Sequence, residues 1–132
     1  MATNTKKITK RKNKNKRQVK RGQVHILATY NNTLITFTDQ NGNVLAYSSA
    51  GQCGFKGPKK ATPYAAGVVA KAVVPIAKEA GVKEVDAYVK GVGPAREAAV
   101  RAIAANGIQI AGIKDITPVP HNGCRPKKPR RV

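Results

Sequence analysis

The chain has 132 residues, 41% of them apolar, which allows one domain with a real core. Its two cysteines, Cys53 and Cys124, lie far apart and exclude a disulfide framework, and no apolar run approaches the length of a membrane span. The net charge of +19 excludes very little by itself, but its distribution points to a polyanionic partner. Residues 1–21 hold ten Lys/Arg and residues 121–132 hold five, both without an acid, while residues 22–120 hold the other ten with all six Asp/Glu.

Residues 1–21 have too few apolar groups to offset the entropy of ordering, so they are expected to form a disordered basic arm. The arm is Lys/Asn-rich and carries neither a hydrophobic stretch for a secretory signal nor the amphipathic face of a transit peptide. Residues 23–30 alternate, with Val24, Ile26, Ala28 and Tyr30 on one face and His25, Leu27 and Thr29 on the other, which predicts a strand. Asn31-Asn32 supplies a turn. Residues 33–38 form a second β-rich run, Gln40-Asn41-Gly42 is a hairpin signal, and residues 43–49 make a third strand. Residues 50–60 are glycine-rich and carry Lys56, Lys59 and Lys60, a loop whose backbone can approach a ligand closely. Phe55, between glycines, suits either base stacking or a plug in the core.

Thr62-Pro63 reads as an N-cap followed by proline at the first helical position. Apolar residues at Tyr64/Ala65, Val68/Val69, Ala72/Val73 and Ile76/Ala77 then predict a helix with a wide buried face, ended by Gly81. Pro75 is expected to kink it or break it near its last turn. Residues 84–90 predict a fourth strand, residues 94–106 a second helix with a Glu97–Arg101 pair, and residues 108–117 a fifth strand. The order βββ-α-β-α-β predicts a single layered α/β domain over residues 22–117 with a mixed five-stranded sheet, and is similar to the ribonuclease-H-like topology.

Gly91-Val92-Gly93-Pro94-Ala95-Arg96 joins a strand to a helix N-terminus, where free backbone N–H groups and the helix dipole suit an anion, with Lys90 and Arg96 alongside. A dinucleotide site would need a third glycine and a downstream acid, so no nucleotide cofactor is expected. His121 and Cys124 are too few to hold zinc and lack an oriented base for nucleophilic chemistry. The six acids are scattered, whereas a metal-dependent nuclease needs several converging on a sheet. No metal and no catalytic residue is therefore expected. Residues 118–132 contain four prolines, Pro118, Pro120, Pro126 and Pro129, and the cations Arg125, Lys127, Lys128, Arg130 and Arg131. Proline bars both helix and central strand, leaving an extended tail suited to following a phosphate backbone. The plain alternative is a solvated tail. Asn122 precedes Gly123, which leaves the next backbone nitrogen unshielded, so partial conversion to isoaspartate is expected there.

Several stretches carry a specific resemblance: Asn31-Asn32-Thr33, Ser49-Ala50-Gly51, Gly54-Phe55-Lys56-Gly57, Thr62-Pro63-Tyr64-Ala65-Ala66, Lys90-Gly91, Arg96-Glu97, and above all DITPVPHNGCRP, residues 115–126. Over residues 20–132 the chain resembles the universal small-subunit ribosomal protein eleven family. The family's Gly-Pro-Gly-Pro-Gly turn reads Gly91-Val-Gly-Pro-Ala95 here. The resemblance implies a ribosomal protein, of the cytoplasm or alternatively of an organellar ribosome, with no membrane association and a ribonuclease-H-like fold without catalytic acids. It would bind small-subunit rRNA in the platform, near the mRNA exit and the Shine–Dalgarno region, with ribosomal proteins S-seven, S-eighteen and S-six as neighbours. Charge and resemblance together mark as RNA-binding candidates Lys12, Arg17, Arg21, Asn31, Asn32, Lys56, Lys59, Lys60, Lys90, Arg96, His121, Asn122, Arg125, Lys127, Lys128, Arg130 and Arg131.

Overall fold

The computed structural model of the chain describes residues 20–129; Lys12, Arg17, Arg130 and Arg131 lie outside them. Three antiparallel strands come first: β1 (Arg21–Ala28), β2 (Thr33–Thr38) and β3 (Val44–Ser49). The alternation of β1 buries Val24, Ile26 and Ala28 and leaves Gln23, His25 and Leu27 half-buried. β1 starts at Arg21 and stops at Ala28, two residues earlier at each end than alternation alone predicts. The reason for the early stop is the turn. Thr29 N–H donates to the Asn32 carbonyl at 2.9 Å, and the Thr29 hydroxyl oxygen accepts from Asn32 N–H at 3.0 Å. Tyr30 is therefore lifted out of the sheet and is 74% exposed. The β2–β3 hairpin closes on Asp39, whose Oδ1 accepts from the N–H groups of Asn41 and Asn43, both at 2.9 Å.

The helix α1 (Pro63–Glu79) returns the chain to β4 (Glu84–Lys90), which lies parallel to β1. The helix α2 (Arg96–Ala105) then leads to β5 (Gln109–Asp115), parallel to β4. The sheet order is β3-β2-β1-β4-β5, the mixed five-stranded sheet expected. Both helices cover the same face, where Ile26, Ile35, Phe37 and Val85 meet Val69, Val73 and Ile103 in one apolar cluster. No helix of the described residues covers the other face.

At the start of α1, Thr62 Oγ1 accepts from Ala65 N–H at 3.2 Å and Pro63 takes the first turn. The buried stripe is Ala65, Ala66, Val69, Ala70, Val73, Val74 and Ala77. It is rotated from the face read in the sequence, and Tyr64, Ala72 and Ile76 lie outside it. Pro75 does not end the helix, which runs on to Glu79. Pro75 and Lys71, the residue four before it, are both exposed. α2 starts at Arg96, two residues later than expected; Ala99 and Ile103 are its buried residues, and Ala104 faces outward.

Candidate nucleic-acid interface

Strands β1, β3, β4 and β5 all run the same way, so their carboxyl ends share one end of the sheet. Four connections meet there. Ala50 N–H donates to the Thr33 carbonyl at 3.1 Å, and the Thr33 hydroxyl donates to the Lys60 carbonyl at 3.1 Å. Gly93 N–H donates to the Ala28 carbonyl at 3.0 Å, and Gly91 N–H to Thr117 Oγ1 at 3.0 Å. Ile116 N–H donates to the Val89 carbonyl at 2.8 Å. These bonds bring Asn31, Asn32, Lys56, Lys59, Lys60, Lys90, Arg96 and the root of the tail to one end of the molecule, although the sequence scatters them.

The glycine turn is built for close approach. Gly91 has φ +100°, and a Cβ there would lie 2.1 Å from the Ala28 carbonyl oxygen; one at Gly93 would lie 2.4 Å from that of Thr29. The same packing consumes the donors. The N–H groups of Gly91 and Gly93, expected to be free for an anion, are bonded to Thr117 and Ala28. This corrects the reading of the turn as an open nest: its glycines seat it on the end of β1. Arg96 also has a partner within the fold. Its Nη2 lies 2.5 Å from Asp115 Oδ2, tying the start of α2 to the end of β5, with the Arg96 side chain 30% exposed. Asp115 Oδ1 accepts from the Thr117 hydroxyl at 2.6 Å and from Thr117 N–H at 2.9 Å. Those two bonds, and then Arg96, hold the Asp115 carboxyl down at about 2, below the ordinary 3.8.

The loop after β3 is held firmly. Cys53 N–H donates to the Ser49 carbonyl at 3.3 Å and Phe55 N–H to the Ala50 carbonyl at 3.1 Å, and a single 3-10 turn spans Gly57–Ala61. Lys56 and Lys59 are exposed and Lys60 is half-buried. None of the three meets a carboxylate among the described residues, where the ion pairs are Arg21–Asp86, Arg96–Asp115 and Arg101–Glu97. Phe55 packs against the core, and the edge of its contact with Tyr64 is T-shaped, with ring centroids 5.9 Å apart. Tyr64, like Tyr30, is 74% exposed. Sequence reasoning placed Tyr30 on the strand face of Val24, Ile26 and Ala28, and Tyr64 in the buried face of the helix. The available signal was position: Tyr30 abuts the Asn31-Asn32 turn, and Tyr64 follows the helix cap directly.

The remaining candidates divide. Arg21 lies at the opposite end of the sheet, 3.4 Å from Asp86. Lys90 closes β4 and is exposed. His121, Asn122, Arg125, Lys127 and Lys128 lie exposed on a segment without helix or strand, with Asn122 turned into the left-handed region at φ 60°. His25 stacks on Tyr88 on the open sheet face, with ring centroids 5.2 Å apart. No three His, Cys, Asp or Glu side chains among the described residues are grouped so as to hold a metal ion. No described helix is long and apolar enough to cross a membrane.

The small ribosomal subunit protein uS11 of Aquifex aeolicus (strain VF5) is 52% identical over 125 residues, covering 95% of this chain and all of that protein. The family described as ribosomal protein S11 matches residues 22–131, a span that takes in the basic end and the tail and leaves out the N-terminal arm. The chain therefore belongs to the ribosomal protein S11 family.

Proposed function

We propose that the chain is a structural constituent of the small ribosomal subunit that binds rRNA and positions it, with no chemistry of its own. The observation that carries this reading is the gathering of Lys56, Lys59, Lys60 and Lys90, which meet no carboxylate among the described residues, with the root of a cationic tail at one end of the sheet. Such a surface suits phosphates, while specificity comes from the shape and unpaired stretches of the RNA. The family resemblance extends the proposal to the platform, near the mRNA exit and the Shine–Dalgarno region of the cytoplasmic ribosome. There ribosomal proteins S-seven, S-eighteen and S-six would be neighbours. The likeness to ribonuclease-H-like folds rests on the element order alone.

The acids speak against the hydrolase alternative. Asp39, Glu79, Glu84 and Asp86 lie at the far end of the sheet, and Glu97 and Asp115 face Arg101 and Arg96. The test is affinity for small-subunit rRNA as a function of salt. With roughly six to ten phosphate contacts, binding is expected to fall about a thousandfold or more between about 50 and 200 mM. A nearly flat dependence would remove the electrostatic basis of the reading. Asn122 belongs to the same surface, and partial isoaspartate formation there is proposed; unmodified Asn122 in peptide maps of aged protein would refute it.

A further inference from the structure

The fold leaves most of the Tyr64 side chain in water, with Phe55 as its aromatic neighbour. A tyrosine ring carries a large apolar surface that the core could have used. Here the ring is 74% exposed, although it directly precedes the buried stripe that begins at Ala65. The ring is also not loose. Its backbone is fixed by the capped first turn of α1, where Thr62 Oγ1 accepts from Ala65 N–H and donates to the Lys59 carbonyl at 2.8 Å. Its side chain meets Phe55 edge to face, the two rings inclined at 74°. Phe55 in turn packs on the core.

We propose that Tyr64, braced by Phe55, is a stacking platform for an unpaired base of bound RNA, with Lys56, Lys59 and Lys60 on the same loop taking the flanking phosphates. The inference rests on the RNA-binding function proposed above and names a contact within it. Single-stranded RNA is held by this combination of an aromatic face and nearby cations, because every base has a π-face and every nucleotide a charge. The surroundings fit. A Cβ at Gly54 or Gly57 would meet nothing within 4 Å, so the loop is open at both glycines that flank Phe55 and Lys56. The loop backbone is already bonded to Ser49, Ala50 and Thr33, so little ordering is required on binding. An apolar protein pocket could take the ring but would leave the three lysines without counter-charge, which favours RNA.

The test uses the full chain and transcribed small-subunit rRNA, with Tyr64→Ala, Tyr64→Phe and Tyr47→Ala compared. Tyr47 is 62% exposed on β3 and serves as the matched control. Tyr64→Ala is expected to weaken binding by about five- to a hundredfold with an unchanged salt slope, the range for loss of one stacked base. Tyr64→Phe keeps the ring and is expected to bind within about twofold of the parent, as is Tyr47→Ala. Thermal melts of the three variants should coincide with the parent. The chain has four tyrosines and no tryptophan, so a Tyr30→Phe/Tyr47→Phe/Tyr88→Phe background leaves Tyr64 as the sole emitter. Its fluorescence should be quenched on RNA binding. Salt-steep binding by the parent with undiminished binding by Tyr64→Ala, or no quenching in the single-tyrosine protein, overturns the proposal while leaving RNA binding intact. Normal RNA binding by Tyr64→Ala with failed entry into subunits would assign the ring to a protein neighbour, and also overturns it.

Discussion

The two ends of the sheet are built to different specifications. Where β1 and β4 begin, Lys20, Arg21, Lys78 and Lys83 stand among Asp39, Glu79, Glu84 and Asp86, and Arg21 has Asp86 as its partner. Where the parallel strands finish, Lys56, Lys59, Lys60 and Lys90 stand without carboxylate partners among the described residues, beside two exposed tyrosines. The eight residues of β1 put the two ends about 26 Å apart. That exceeds twice the screening length of about 8–10 Å at physiological salt, so neither end neutralises the other. Among the described residues, the cations at one end of the sheet stand among acids and those at the other end do not. Glu97 and Asp115 lie near the basic end, but each faces an arginine of α2.

The largest expected difference between the ends is in backbone tolerance. Gly91→Ala places a Cβ against the Ala28 carbonyl at positive φ and should cost roughly 3 kcal/mol or more of stability in denaturant unfolding. Gly42→Ala, in the hairpin at the other end, also has positive φ but nothing within 4 Å, and should cost only about 1–2 kcal/mol. Equal costs would show that the glycine turn is not pressed onto β1 as described.

Charge removal should separate the ends next. Deleting residues 119–132 removes five cations and no acid. The slope of log affinity against log salt should shrink by up to about four units if all five meet phosphates, with the thermal melt little changed. Replacing the same five residues by Gln should do likewise; a Gln version that binds like the parent would give the tail a role through shape. A smaller loss, up to about two or three units of slope, is expected for Lys56→Gln/Lys59→Gln/Lys60→Gln. Lys71→Gln/Lys78→Gln/Lys83→Gln should leave the slope unchanged. An equal loss from both triples would erase the distinction drawn between the ends.

The smallest effect is a pH dependence. The Asp115 carboxyl is depressed to about 2 from 3.8 in the fold, so its contribution to stability is present above the ordinary value and is lost as pH falls through about 2. The stability advantage of the parent over Asp115→Asn should therefore be full above about pH 5 and shrink steadily as the acid titrates. A difference independent of pH would mean that the Arg96–Asp115–Thr117 link does not hold α2 to β5.

How far the sequence reveals this arrangement depends on which interaction dominates at each residue. Strands β2 and β4 are legible because alternation and turn chemistry agree there, and the mixed sheet follows from the element order. Tyr30 and Tyr64 were misread because periodicity counts apolar residues and cannot see where a turn or a cap lifts the chain from the core. Of the two outcomes expected for Pro75, the break does not occur, since the helix runs on to Glu79. The lysine loop was recognisable as basic and glycine-rich. Its meeting with Lys90 and the tail was not, since bonds such as Thr33 to Lys60 and Gly93 to Ala28 depend on strand direction. The pairing of Arg96 with Asp115 joins residues far apart in the chain and has no local signature.

The central claim is that RNA is held by the end of the sheet where the parallel strands finish. Lysine acetylation footprinting of the free chain and of reconstituted small subunits, read by mass spectrometry, tests it most directly. The account predicts strong protection of Lys56, Lys59, Lys60, Lys90, Lys127 and Lys128 in the particle, with Lys71, Lys78 and Lys83 still reactive. Protection of Lys71, Lys78 and Lys83 with the other six left reactive would contradict it.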